Sequence, residues 1–324
     1  MIVPSQPTDI TERREAAWKE LDQLLEAGRL RRGTASEISR GATLYRQVCR
    51  DLSRASQEAL PPEVITYLDS LVSRAHSAFY ADAGVVWRKW ATFIFSDFPR
   101  EVRRNWASIA LSMALFAVPL LVTLLKSAHS KAFAAQMLPI EMLEGMAEAY
   151  AGSLSDGRGP DANAAMAGFY VYNNVGIAFR CFASGILFGL GSAFFLVYNG
   201  AVTGAVVGYV TGAGSGTNIL TFVCGHAPLE LTAIVISGAA GLQLGQALLD
   251  RQGVGRLHSV WQARAAILAQ VMGAAVMLLL AAAVEAFWSP SPVLAEVKWG
   301  VSGLILLSVI GFLCFGGRVR EAGR

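Results

Sequence analysis

The chain has 324 residues, a formal net charge of +3, 54% hydrophobic residues and only 16% charged ones. An ordinary soluble domain is about one quarter charged, so a mean hydropathy of +0.44 excludes a chain that is soluble throughout. The small net charge gives no footing for nucleic acid. Runs such as 274–284 lack the alternation of a transmembrane β-barrel strand, which excludes that class too.

In chain order, residues 1–83 read as a cytoplasmic helical domain. Asp9 with Glu12, and Thr34 with Glu37, have the spacing of capping boxes. The first helix sets Trp18, Leu21 and Leu25 on one face. The second sets Ile38, Ala42, Tyr45, Cys49, Leu52 and Ala55, and the third Ile65, Leu68, Val72, Ala75 and Phe79. Three amphipathic helices suffice for a small bundle. Arg46, Arg50 and Arg54 follow helical spacing, as on a solvated face. The polar start, with Pro4 and Pro7, has no apolar core behind a basic region, so no secretory signal is expected.

Residues 84–105 interleave Trp87, Trp90, Phe93, Phe95 and Phe98 with Arg88, Lys89, Arg100, Arg103 and Arg104. That mixture suits the lipid headgroup zone and predicts an interfacial amphipathic helix. Beyond it lies a transmembrane domain, 106–316, with spans near 106–125, 173–197, 201–223, 228–248, 265–285 and 297–315. An outer loop covers 126–168, and a basic tail 317–324. The third span is expected to break at Gly212, Gly214 and Gly216, and Asn199-Gly200 to form a tight link before it. The fold class is thus an all-α polytopic membrane protein with about six transmembrane helices and an N-terminal cytoplasmic helical domain. Six spans put the arginines of 103–104, 249–264 and 318–324 on one side, which the positive-inside rule makes the cytoplasm. Both termini are then cytoplasmic. The four cysteines have no CxxC spacing and read as free thiols.

Two residue patterns in the spans need a reason. Gly200, Gly204, Gly208 and Gly212 recur every four residues, as do Gly185 with Gly189 and Gly241 with Gly245. Such stripes let helices approach closely, within one chain or across a dimer seam. The second pattern is polar: Asn173, Asn174, Asn199, His226, Glu230 and Glu285. A charged group in hydrocarbon costs about 2.5–3.5 kcal/mol on insertion scales, so such groups pair, face a cavity or act. His226 and Glu230 share a helix face, with Pro228 between them suited to the first turn. They either fix the start of the helix or serve a cavity or partner-binding role. Glu285 precedes a Pro-rich turn and can reach an outer interface. A His–Glu pair joined by Cys224 or Glu285 could hold zinc, as in an intramembrane metallopeptidase. No HExxH, second nearby His or paired-Glu motif accompanies it, so no metal, cofactor or catalytic residue is expected. Ser192 in Gly191-Ser192-Ala193 is only superficially like a membrane serine protease.

The ordered run Asn173-Asn174, Gly185-Ile186-Leu187-Phe188-Gly189-Leu190-Gly191, Asn199-Gly200, His226-Ala227-Pro228-Leu229-Glu230, Ser237-Gly238-Ala239-Ala240-Gly241 and Glu285-Ala286-Phe287-Trp288-Ser289-Pro290 resembles the stage II sporulation protein M family of bacterial integral membrane proteins. Ala227 stands where the family pattern has Gly. The N-terminal segment, with Leu44-Tyr45-Arg46, Arg74-Ala75-His76 and Phe98-Pro99-Arg100, is similar to the cytoplasmic extension of the longer, non-sporulating branch. The resemblance implies a bacterial inner-membrane protein and a partner of cell-wall hydrolases, or of a MoxR-type ATPase with von Willebrand factor A-like and RDD-type membrane proteins. The expected function is a non-enzymatic scaffold or complex subunit in the cell envelope, a homodimer among membrane lipids. The alternatives are a transporter or channel for a small solute or lipid, and the metallopeptidase.

Overall fold

The computed structural model describes residues 7–57, 60–80, 83–152, 160–250 and 253–318. These residues are helical, with no strand among them. The chain divides into two compact units, 1–90 and 91–324.

The first unit consists of α1 (Pro7–Glu26), the short α2 (Arg29–Arg32), α3 (Ala35–Gln57), α4 (Pro62–Tyr80) and most of α5 (Ala83–Thr92). Its core joins Trp18, Leu21, Leu30, Leu44, Val48, Leu68, Leu71 and Ala75. Thr34 and Glu37 form the capping box reciprocally. The Thr34 amide donates to Glu37 Oε2 at 2.8 Å, and the Glu37 amide to Thr34 Oγ1 at 3.4 Å. The Asp9–Glu12 pair falls on side chains outside the described ones. The buried stripe of α3 is Gly41, Leu44, Val48, Asp51 and Ala55, about one position away from the stripe read from periodicity, and Ile38 is exposed. The cause is a polar contact. Trp18 Nε1 donates to buried Asp51 at 3.0 Å, and Arg14 closes on the same carboxylate at 3.5 Å. That turns Asp51 inward and the helix with it. Arg46, Arg50 and Arg54 lie on the exposed side.

In the second unit, a π-type turn over Phe93–Asp97 leads into α6 (Phe98–Arg104). The stretch expected to lie on the membrane surface therefore changes its register within five residues. Trp87 and Phe95 are exposed, while Phe98 is buried against Gly273 and Phe312. Then come α7 (Trp106–His129), α8 (Lys131–Met137), α9 (Ile140–Ala149), α10 (Pro160–Ala183), α11 (Leu190–Val210), α12 (Gly216–Cys224), α13 (Ala227–Leu248), α14 (Arg256–Ala283) and α15 (Ala295–Phe315). Among the described residues, five segments are long and apolar enough to cross a membrane: Trp106–His129, Leu190–Cys224, Ala227–Leu248, Arg256–Trp288 and Ala295–Phe315. The 24 residues of α10 have the length but carry Asn163, Asn173, Asn174 and Arg180.

The second and third spans divide elsewhere than their sequence suggests. Asn199 and Gly200 lie inside α11, and the turn comes earlier, at Ser184–Gly189, where Phe188 has φ 53° and Gly189 φ 85°. Asn199-Gly200 has turn chemistry, but Gly200 is there for packing. An added Cβ at Gly200, Gly204, Gly208 and Gly212 would meet the carbonyl oxygens of Phe116, Leu120, Leu124 and Ala128 at under 3.0 Å. Both series rise together, so α7 and α11 run parallel, and α10 must carry the chain back between them. Thr123 Oγ1 crosses the seam to Ala201 O at 2.9 Å. The break expected at Gly212–Gly216 is present as a π-type turn over Thr211–Ser215, with Gly214 at φ 97°.

At the other end of α10 and α11, Gly185 packs on Gly241 and Gly189 on Gly245 of α13. The antiparallel pair α13–α14 completes the centre, and α15 packs on α12, α13 and α6. Arg103 donates to Leu313 O and Gly316 O, both at 2.7 Å. The beginning of α7 and the end of α15 therefore lie at the same end of the bundle.

Two outcomes are expected. Gly204→Val forces backbones apart at a place with no flexible neighbour, and should cost about 1–3 kcal/mol in unfolding of the full chain in detergent. In the first unit, hydrogen bonding from Arg40 holds the Glu20 carboxyl below its ordinary 4.5, and the Thr34 amide does the same for Glu37. Their contribution is present above that value and is lost as pH falls through the lowered folded values. Thermal unfolding in acid should show the first unit weakening, and less so for Arg40→Ala.

Candidate functional site

Three of the polar residues singled out by their sequence positions meet where α13 begins and α14 ends. His226 occupies the N-cap position of α13, its carbonyl accepting from the amides of Leu229 and Glu230, and Pro228 sits in the first turn. One turn further, Glu230 points along the same face, its Oε2 3.8 Å from His226 Nε2. Glu285 enters from the π-type turn Val284–Trp288 that ends α14, its Oε1 3.9 Å from the same nitrogen. The π geometry inserts one residue into the turn, and both Glu285 and Ala286 are buried there. His226 is 4% exposed and Glu285 9%.

Two further groups orient this cluster. Buried Asn174, on α10, donates from Nδ2 to Glu285 Oε2 at 3.3 Å and accepts from Asn173 at 3.1 Å. Ser289 Oγ is 3.1 Å from His226 Nδ1, on the ring edge opposite the carboxylates. The Phe222 ring stands edge-on to the imidazole, with centroids 5.7 Å apart. A hydrogen bond at one ring nitrogen fixes the direction of the other, so Nε2 is aimed at the two carboxylates.

The turn bearing Ser289 is itself tied down. Lys298, fully buried near the start of α15, donates to Ser289 O at 2.7 Å and Ser291 O at 2.8 Å. Alongside, Trp299 donates to Thr221 Oγ1 at 3.1 Å and Ser302 to Cys224 O at 2.6 Å. The first turns of α15 thus anchor both α12 and the 289–291 turn. Neither Ser289, quoted above only within the Glu285–Pro290 run, nor Lys298 is among the site residues expected from the sequence. The available signals were a single basic residue opening an apolar run and a serine inside the Pro-rich turn.

The remaining candidates do not join the cluster. Asn199 donates to Phe195 O at 2.7 Å, within its own helix. Cys224 turns its thiol to Thr221 O. Ser192 is buried against Gly241, in the half of α13 remote from His226, so no serine–histidine pair forms. Gly185, Gly189, Gly200, Gly204, Gly208, Gly241 and Gly245 each meet backbone or side-chain atoms of this same chain. A second polar place lies at the opposite end of α13. There, buried Gln243 and Gln270 exchange amide hydrogen bonds at 2.9 and 3.2 Å, beside a cavity of about 430 Å³ bordered by Glu101, Arg104, Asp250 and Ser259.

Residues 106–290 match the family model described as Stage II sporulation protein M, and residues 9–81 match one described as a domain of unknown function. No curated protein and no solved structure matches the chain.

Replacing Lys298 by Met keeps the length of the side chain but leaves the carbonyls of Ser289 and Ser291 without their donor. The expected cost is about 1–3 kcal/mol, read from unfolding in detergent, with exposed Lys89→Met as the neutral control.

Proposed function

The chain belongs to the stage II sporulation protein M family, and from that premise we propose that this α-helical membrane protein is a non-enzymatic subunit of a complex serving the cell envelope, which recruits partners rather than passing a solute. The supporting observation is the closed middle of α13. Glu230 and Gln243 lie about 20 Å apart along the helix at 1.5 Å per residue. Every residue from Ala233 to Gly241 between them is buried, and Ser237 is the one polar side chain. Backbone contact at Gly241 and the Leu196 side chain over Gly238 fill the space a path would need. The polar groups at the two ends of α13 serve two separate faces. The transporter reading draws on the broken segment Thr211–Ser215, but that segment carries no ionisable group.

The arrangement we favour is a bacterial inner-membrane protein with both termini in the cytoplasm. Arg103, Arg104, Arg256, Arg264 and Arg318 support it, because they gather at the end where α7 begins and α15 finishes. With α10 returning between the parallel α7 and α11, six traverses bring the chain back to its starting face. The glycines of α7–α11 and α10–α13 contacts are occupied within the chain, so a homodimer would use another face. On α15, Gly300, Gly303 and Gly311 have nothing within 4 Å of an added Cβ, and that helix meets lipid or a second copy. By family resemblance, the partners are a MoxR-type ATPase, an RDD-type membrane protein or a cell-wall hydrolase.

Photo-crosslinking of the full chain in native membranes, from positions on the exposed faces of α3 and α15, should capture a protein of one of these classes and a second copy. Solute or ion flux through proteoliposomes of the purified chain, abolished by Glu230→Gln, would reverse the reading in favour of a transporter.

A further inference from the structure

The gap between His226, Glu230 and Glu285 has the size and chemistry of a metal site. One imidazole nitrogen and a carboxylate oxygen from each glutamate lie within 4.8 Å of one another. His226 Nε2 is 3.8 Å from Glu230 Oε2 and 3.9 Å from Glu285 Oε1, too far for a hydrogen bond to either. A tetrahedral ion with bonds of about 2.0–2.1 Å places its ligands roughly 3.4 Å apart. The two His–Glu separations exceed that by about half an ångström, a change that small side-chain rotations cover, and the two carboxylates lie within 4.8 Å of each other.

We propose that His226, Glu230 and Glu285 bind one divalent transition-metal ion of the zinc class, clamping the start of α13 to the end of α14. The donor set selects the class of ion. An imidazole with two carboxylates suits zinc and its first-row neighbours, whereas calcium and magnesium favour oxygen alone. Within the cluster, a buried ring nitrogen is held facing both carboxylates. His226 is 4% exposed, its Nδ1 is engaged by Ser289 Oγ at 3.1 Å, and its Nε2 therefore faces the carboxylates. Glu285 is steadied by Asn174 at 3.3 Å through the oxygen not facing the ring. Metal-binding imidazoles and carboxylates are ordinarily held by such outer partners. Three protein ligands leave one position open to water or to a partner's side chain.

The experiment uses the full chain, purified in detergent without a metal-affinity tag. It is loaded with Zn2+ and freed of excess by dialysis. Elemental analysis should find about one zinc per chain, and Co2+ loading should produce the visible absorption of a low-symmetry site. Zn2+ should raise Tm by roughly 4 °C or more, and a chelator should reverse it. His226→Ala and Glu285→Gln should each lower zinc affinity at least tenfold, and Glu230→Gln serves if either fails to fold. A native chain that binds no stoichiometric zinc or cobalt and melts at one temperature with zinc or chelator overturns the proposal, leaving the cluster as a metal-free contact between α13 and the end of α14. Undiminished zinc in the variants overturns it equally. Neither outcome touches the complex-subunit reading, which crosslinking tests separately.

Discussion

Backbone contact through glycine is the constraint on which the membrane unit is built. Inside a bilayer no hydrophobic force draws helices together, so association relies on van der Waals packing and on polar contacts. Here the packing is obtained by removing side chains where helices cross. Gly200, Gly204, Gly208 and Gly212 seat α11 on the carbonyls of α7, and the pairs Gly185–Gly241 and Gly189–Gly245 seat the α10–α11 turn on α13. The four-residue interval keeps every contact on one stripe of each helix. The parallel sense of α7 and α11 follows from that matched rise, and it forces the polar α10 back through the bundle.

That route explains how a helix with so many amides is accommodated. Asn174 is 3% exposed and spends its amide on Glu285 of α14. A chain in which α10 lay outside the bundle would place that amide in hydrocarbon and leave Glu285 without this donor. The Asn174–Glu285 contact thus offsets the cost of burying both polar groups. The buried lysine at the start of α15 works in the same way. It satisfies two carbonyls of a turn that Pro290 and Pro292 prevent from being helical.

The two ends of α13 have different characters. At the first, His226, Glu230 and Glu285 converge under Phe222 in a small, oriented cluster. At the second, the Gln243–Gln270 pair borders an open polar cavity lined by Glu101, Arg104, Asp250 and Ser259. Closely packed alanine, isoleucine and glycine separate them.

Much of this was legible in residue order. Hydropathy and helical periodicity identified an all-α membrane protein that begins with amphipathic helices, because those signals arise from local burial and need no partner. The Thr34–Glu37 cap, the break near Gly214 and the start of α13 at Pro228 are local chemistry as well. What the tertiary structure decided lies in pairings between distant segments. Asn199-Gly200 has the composition of a turn, yet Gly200 is required by a carbonyl of α7 more than eighty positions earlier, and the chain turns at Gly189 instead. The face of α3 was displaced by one buried aspartate answering a tryptophan on another helix. Glu285 had water as an equally good destination until the π-type turn aimed it at His226. Sequence determines which residues cannot remain in lipid, since that depends on each side chain alone. Which of them meet depends on how helices cross, and that was settled by glycines with no polarity of their own.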